Sequence, residues 1–225
     1  LVRATEWLAD KIVEHPTTKF QTTTISPGLS QEQAEISYWR RRAVEACIYG
    51  VDFNPLAVEL TKLSLWLTCI ASEEPLSFLD HHLRVGNSLI GTQLEDMGIL
   101  PSKKQSDQLP FSFGPDLSKA VAKAIQSIET IESEASTRLE VVKKKETLWR
   151  KEVIARLSPF KTIGDLWIAT MAGLNLDEDT FHQIAKNLIS PPKPKSNDWK
   201  EFKEKWENLE GQLTGITNEI IPFHW

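Results

Sequence analysis

The feature that most constrains the fold is a pair of short apolar segments separated by one helix-length segment. Residues 46–52 are apolar and end in Asp52, and residues 82–86 form the second short segment. Such runs, bounded by turn residues, are typical of buried parallel strands. Between them, Pro55 suits the first turn of a helix that continues to about residue 70. The pattern predicts a strand–helix–strand unit with parallel strands, and leucines on most sides of the helix predict that it lies deep.

Helices are predicted on both sides of this unit. Apolar residues recur at helical spacing over residues 1–13, and Ser30 with Gln33 has the spacing of a capping box for a helix that runs to about Ala46. A coiled-coil-like stripe predicts one long helix from Asp116 to about Leu157. Shorter helices are predicted at 160–172, at 178–189 and from Asn197 or Asp198 onward, folded back as an antiparallel bundle.

These patterns predict an α/β protein that is mostly helical, with few parallel strands and a large helical insertion. We expect four regions: an α/β region over 1–98, a linker over 99–115, a helical insertion over 116–219, and a return to the sheet over 220–225.

The composition limits the cellular environment and the binding partners that this protein can have. The net charge of −5 excludes binding of nucleic acid by bulk positive charge. Cys47 and Cys69 lack metal-site spacing and lie among apolar residues, which predicts two reduced, buried thiols in a cytoplasmic protein. No apolar run reaches the roughly 18 residues of a membrane span, and no signal peptide opens the chain. The first residues already have a helical pattern, so we expect a piece of a longer protein.

Asp52 and Phe53 are the first candidate binding residues. A carboxylate at the end of a strand in a nucleotide-binding α/β fold can accept hydrogen bonds from both ribose hydroxyls, and the next aromatic ring can stack on adenine. Sites for NAD, flavin and S-adenosylmethionine share this feature. The alternative is an aspartate that only forms the turn after its strand.

Two blocks, Gly50 to Leu67 and Leu76 to Gly91, together resemble the Eco57I-like adenine-specific DNA methyltransferases. The resemblance covers roughly residues 35–92 and the last few residues. It implies a partial Rossmann-like methyltransferase sheet that binds S-adenosylmethionine, with Asp52 on the ribose and Phe53 stacked beside it. It also implies that Asn87, with Ser88 after it, contacts the cofactor near its adenine amino group. Many related enzymes carry Asp at the position of Asn87, and a plain turn at Gly86–Ser88 is the alternative.

The resemblance further implies an enzyme that methylates the exocyclic amine of adenine in duplex DNA, in restriction-modification or phage defence. The family's glycine-rich loop and its catalytic Asn/Asp-Pro-Pro-aromatic segment do not occur among these residues. We therefore expect an internal fragment that contains no catalytic residue and is inactive alone. Ser190 to Lys193 carries two prolines, but its fourth residue is lysine and its setting is a linker.

Other features favour structural roles. His81 and His82 lack further Cys or His near them in sequence, so we predict structural histidines and no metal site. Glutamates interleave with the basic run 143–145, which indicates a solvated helix face rather than a DNA contact. Two functional alternatives stay open: part of a NAD-binding oxidoreductase, or a helical interaction or DNA-clamping module over 116–215. Strand edges left bare by truncation could also allow self-association.

Overall fold

A computed structural model describes residues 1–15, 30–69, 75, 77–93, 96–100, 114–134, 136 and 138–224. Eight α-helices and two strands occur in these ranges: α1 Val2–Glu14, α2 Gln31–Cys47, β1 Gly50–Asp52, α3 Pro55–Thr68, β2 Leu83–Val85, α4 Gly114–Ser133, α5 Leu139–Leu148, α6 Ala155–Met171, α7 Glu178–Ile189 and α8 Asn197–Ile220. The chain divides into two compact units. The first comprises residues 1–84 and 126–151, and the second comprises residues 85–125 and 152–225.

The predicted strand–helix–strand unit is present. β1 and β2 form a two-stranded parallel sheet joined by α3, and the backbone N–H of Gly50 donates to the carbonyl of His82 at 2.9 Å. The strands are shorter than predicted, since α2 continues through Cys47 into the expected first strand. The capping box of Ser30 and Gln33 is confirmed by both of its hydrogen bonds.

Helix α3 does not lie deep, contrary to the prediction from its leucine content. Val58 and Leu65 are buried against the apolar side of α2, but Leu56 and Leu67 are 64% and 56% exposed. Leu60 and Leu63 are also exposed. The apolar content of this helix therefore did not predict which of its residues are buried.

The predicted single helix from Asp116 to Leu157 is interrupted, because α4 ends at Ser133 and α5 begins at Leu139. Two arginines of α2 donate hydrogen bonds to backbone carbonyl groups at this break and stabilise it. Arg42 donates to the carbonyl of Glu132 at 3.1 Å, and Arg41 donates to the carbonyl of Ser136. A π-helical turn at Trp149–Ile154 then leads from α5 into α6. The break depends on tertiary contacts with α2, and the periodicity of apolar residues does not predict such contacts.

Arg41 is also part of a buried ionic network in the first unit. Its Nε lies 3.2 Å from a carboxylate oxygen of Glu45, one helical turn later, and both side chains are almost fully buried. Glu45 additionally accepts from Arg42 at 3.2 Å and from the hydroxyl of Ser77 at 2.7 Å. Arg41 donates further to the carbonyl of Pro75 at 2.8 Å. The network ties α2 to the chain that precedes β2.

The second unit has its own apolar core, in which α6, α7 and α8 pack together. Its centre consists of fully buried side chains, among them Ile163 and Leu166 of α6 and Phe181 of α7. The indole of Trp167 donates to the carbonyl of Ile99 at 2.8 Å, which fixes the chain after residue 96 on α6. Among the helices that the structure describes, none combines the length and the apolar character needed to cross a membrane.

The two cysteines differ in environment. Cys69 is buried as predicted, and its burial raises the pKa of the thiol to about 11. Cys47 is exposed, so the prediction of a buried thiol is wrong there. The reason is that Cys47 ends α2 and does not lie inside a strand. Both thiols are free, as predicted.

We expect Ellman's reagent at pH 8 to react rapidly with one thiol of the native protein and with the second only after unfolding. The thiolate is the reacting species, and the raised pKa of Cys69 keeps its thiol protonated at this pH. Cys47→Ser should abolish the rapid phase, and Cys69→Ser should leave it unchanged. Two rapid equivalents in the native protein would contradict this assignment.

Candidate functional site

Asp52 and Phe53 lie at the carboxyl end of β1, where a chain of short hydrogen bonds shapes the turn into α3. One carboxylate oxygen of Asp52 accepts from the backbone N–H of Asn54 at 2.8 Å. The side chain of Asn54 in turn caps α3 by accepting from the N–H of Leu56 at 2.9 Å, and Pro55 occupies the first helical position. Residues close in the chain therefore fix this turn, and for that reason it could be predicted from the sequence.

Both side chains at this turn are available to a ligand. Asp52 is exposed, and its second carboxylate oxygen accepts no hydrogen bond from the residues that the structure describes. Phe53 is 51% exposed, which leaves ring surface open to contact. A carboxylate with a spare oxygen can accept from a hydroxyl, and an adjacent exposed ring can stack on a planar base.

Asn87 and Ser88 belong to the second unit, where Asn87 forms an isolated parallel bridge with Pro222. The backbone N–H of Asn87 donates to the carbonyl of Ile221 at 2.6 Å. Its side-chain oxygen accepts from the N–H of Leu89 at 3.0 Å, so Asn87 caps its own turn. Its amide NH₂, which has two donors, bonds to none of the residues that the structure describes. Ser88 is exposed. The structure thus has a turn at residues 86–88, which was the alternative to a cofactor contact. The NH₂ group of Asn87 and the hydroxyl of Ser88 at this turn are still available to a ligand.

The C-terminal segment approaches this turn closely. A Cβ atom at Gly86 would lie 3.0 Å from the Cβ of Phe223, and one at Gly91 would lie 1.7 Å from the carbonyl oxygen of Phe223. The N–H of Phe223 donates to the carbonyl of Ile90 at 2.8 Å. Only glycine fits at position 91 without displacement of the backbone.

His224 anchors the same segment to α6. Its ring nitrogens lie 3.0 Å from a carboxylate oxygen of Asp165 and 3.3 Å from the backbone N–H of Thr92. Asp165 is also paired with Lys161 at 2.6 Å. Residues 87–92 and 221–224 are therefore held together by backbone and side-chain bonds within the second unit.

A second polar cluster lies in the first unit around His81 and His82. The Nε2 atom of His82 is 3.1 Å from a carboxylate oxygen of Glu132 on α4, and Tyr49 donates its hydroxyl to the same oxygen at 2.6 Å. The two imidazole rings have centroids 4.0 Å apart. Sequence reasoning found the histidines but missed Glu132, because no local signal links residues fifty positions apart.

The electrostatics of this cluster keep its groups in defined protonation states. Burial, the neighbouring His82 and the charge of Lys145 lower the pKa of His81 to about 3, so its ring is neutral near pH 7. Burial together with the hydrogen bond to Glu132 raises the pKa of Tyr49, so its hydroxyl stays protonated. Lys145 is buried and donates to the hydroxyl of Ser136 at 2.9 Å. The expectation of a fully solvated basic run over 143–145 is therefore wrong for Lys145.

The segment Ser190 to Lys193 connects α7 to α8, which agrees with its interpretation as a linker. Helix α8 begins after Ser196, whose hydroxyl accepts from the N–H of Trp199, so Ser196 is the cap rather than the predicted Asn197 or Asp198.

No curated protein and no solved structure matches the chain. Residues 46–215 match the model of a family described as Eco57I restriction-modification methylase. The match covers well over half of the chain and includes the turn after β1, the turn at Asn87, and helices α3 to α7. The chain therefore belongs to the Eco57I restriction-modification methylase family.

Proposed function

We propose that this chain contributes the adenosine-binding residues of an adenine-specific DNA methyltransferase that uses S-adenosylmethionine. The family match, which implies a DNA methylase of a restriction-modification system, carries the proposal. The geometry after β1 is compatible with it, since Asp52 has a spare carboxylate oxygen and Phe53 has open ring surface. The parallel strands and α3 are compatible with a Rossmann-like methyltransferase sheet.

In this proposal, Asp52 accepts hydrogen bonds from the ribose hydroxyls and Phe53 packs on the adenine ring. The family resemblance also assigns cofactor contacts to Asn87 and Ser88, and the NH₂ group of Asn87 donates to none of the residues that the structure describes. When bound, S-adenosylmethionine supplies the methyl group. The turn at Asn87 is kept in place by the segment 221–224, so that segment supports the proposed contact.

Duplex DNA, with an adenine flipped out of the helix, is the proposed substrate of the enzyme. A cytoplasmic location is part of the proposal and agrees with two thiols that form no disulfide. The 225 residues contain no Asn/Asp-Pro-Pro-aromatic segment, which is the family's catalytic segment.

The test is calorimetric titration of S-adenosylmethionine, with NAD as a parallel titrant. We expect Asp52→Ala to weaken binding of S-adenosylmethionine by about 1–3 kcal/mol, the scale of a lost hydrogen bond to a charged group. Asp52→Asn keeps the acceptor for Asn54 but loses the charge, and it should also weaken binding. Asp10→Ala, which removes an exposed carboxylate of α1, is the matched control and should bind normally.

Unchanged affinity in both Asp52 variants would remove this residue from the site. Tighter binding of NAD than of S-adenosylmethionine would favour the oxidoreductase alternative instead.

A further inference from the structure

Buried polar atoms without partners mark the cluster of His81, His82 and Glu132. Both ring nitrogens of His81 and the Nδ1 atom of His82 are inaccessible to solvent and lack a hydrogen-bond partner among the residues that the structure describes. Buried polar groups are nearly always satisfied in folded proteins, because loss of their hydration is costly. The two unpartnered nitrogens of His81 lie beside the pair formed by His82 and Glu132, so they indicate a binding partner that the described protein atoms do not supply.

The donor set is the one that zinc prefers. One ligand atom from each of His81, His82 and Glu132 can be chosen so that all three lie within 4.8 Å of one another. Ligand atoms around a tetrahedral zinc ion lie about 3.3 Å apart, given bonds of about 2.0–2.1 Å. The Nε2 atom of His82 and a carboxylate oxygen of Glu132, 3.1 Å apart, already have about this spacing, and His81 has an unpartnered nitrogen to offer as the third ligand.

The surroundings fix these ligands in orientation. Tyr49 donates to the carboxylate oxygen of Glu132 and also lies against the ring of His82, with centroids 3.9 Å apart. Phe78 stacks on His81 from the other side, with centroids 5.4 Å apart and planes 8° from parallel. Hydrogen bonds to ligands and apolar packing around them are typical supports of metal sites. The charge of Lys145, which acts on His81, opposes a cation here. A carboxylate ligand such as that of Glu132 attracts one.

We propose that His81, His82 and Glu132 bind one Zn²⁺ ion, with a fourth position open to water. The ion would link the turn before β2 to α4. Its role is structural, since none of its three ligands is a proposed adenosine contact.

The experiment is calorimetric titration of ZnCl₂ into the metal-free chain, with MgCl₂ as a parallel titrant. We expect one Zn²⁺ per chain, no binding of Mg²⁺ by this nitrogen-rich set, and a higher Tm with zinc. Glu132→Gln and His81→Ala should each weaken zinc binding by at least about tenfold. Glu129→Gln, which neutralises an exposed carboxylate on the same helix, should bind zinc like the parent.

Substitution of Co²⁺ provides a second readout, since tetrahedral coordination gives a strong visible absorption that Glu132→Gln should reduce. Circular dichroism reports whether each variant folds. If His81→Ala does not fold, the zinc affinity of Glu132→Gln tests the proposal. Glutamine can keep the hydrogen bonds to Tyr49 and His82, so this variant should fold. The absence of zinc binding, or zinc binding that is equal in the parent and in the folded variants, would overturn the proposal.

Discussion

Glu45→Ala is expected to lower the free energy of unfolding by about 3–5 kcal/mol. The substitution leaves the guanidinium of Arg41 buried without its carboxylate partner, and removal of one member of a buried ion pair has a cost of this size. It also removes an acceptor from Arg42 and from the hydroxyl of Ser77. Urea unfolding followed by circular dichroism measures the change.

The control for this prediction is Glu207→Ala in α8. Glu207 also has an ion-pair partner, Lys203, at 3.3 Å, but both side chains are more than half exposed. Exposed pairs contribute about 0–1 kcal/mol, so this variant should unfold almost like the parent. Equal stability of the two variants would show that Glu45 is not buried with Arg41.

Gly91→Ala should lower the free energy of unfolding by about 3 kcal/mol. The new Cβ would lie 1.7 Å from the carbonyl oxygen of Phe223, so the backbone of one of the two segments must shift. Forced overpacking of this kind costs about 1–3 kcal/mol or more. Because residues 221–224 hold the turn at Asn87, the same variant should also weaken any ligand contact made there.

Gly215→Ala is the matched control, with an effect of opposite sign. Gly215 lies inside α8, and no atom lies within 4 Å of a Cβ built on it. Alanine is favoured over glycine in a helix by about 1 kcal/mol, so this variant should be more stable than the parent. A Gly91→Ala protein of unchanged stability would mean that Phe223 does not lie against residue 91.

Local signals in the sequence predicted the elements around the candidate site well. The capping box at Ser30, Pro55 at the start of α3 and the parallel strand pair were all confirmed. Each depends on residues close in the chain, for which spacing and residue type carry the information. The family was likewise predicted from two short blocks and is confirmed by the match over 46–215.

Long-range contacts account for what the sequence did not predict. The helix break after Ser133 is held by arginines of α2, about ninety residues earlier, and Glu132 reaches His82 across fifty residues. The exposed leucines of α3 also escaped prediction, because apolar residues indicate which side can be buried but not which partner is present. Such pairings follow only from the assembled fold.

The bridge between Asn87 and Pro222 has a consequence for biosynthesis. Roughly 130 residues must leave the ribosome after Asn87 before Pro222 is made, which takes about 7–26 s at 5–20 residues per second. Throughout that interval the nascent chain carries the backbone groups of Asn87 and Ile90 without residues 221–223, to which they later bond. Correct closure of this turn therefore waits until residue 222 has been made, and chaperones can protect the open turn only before that point.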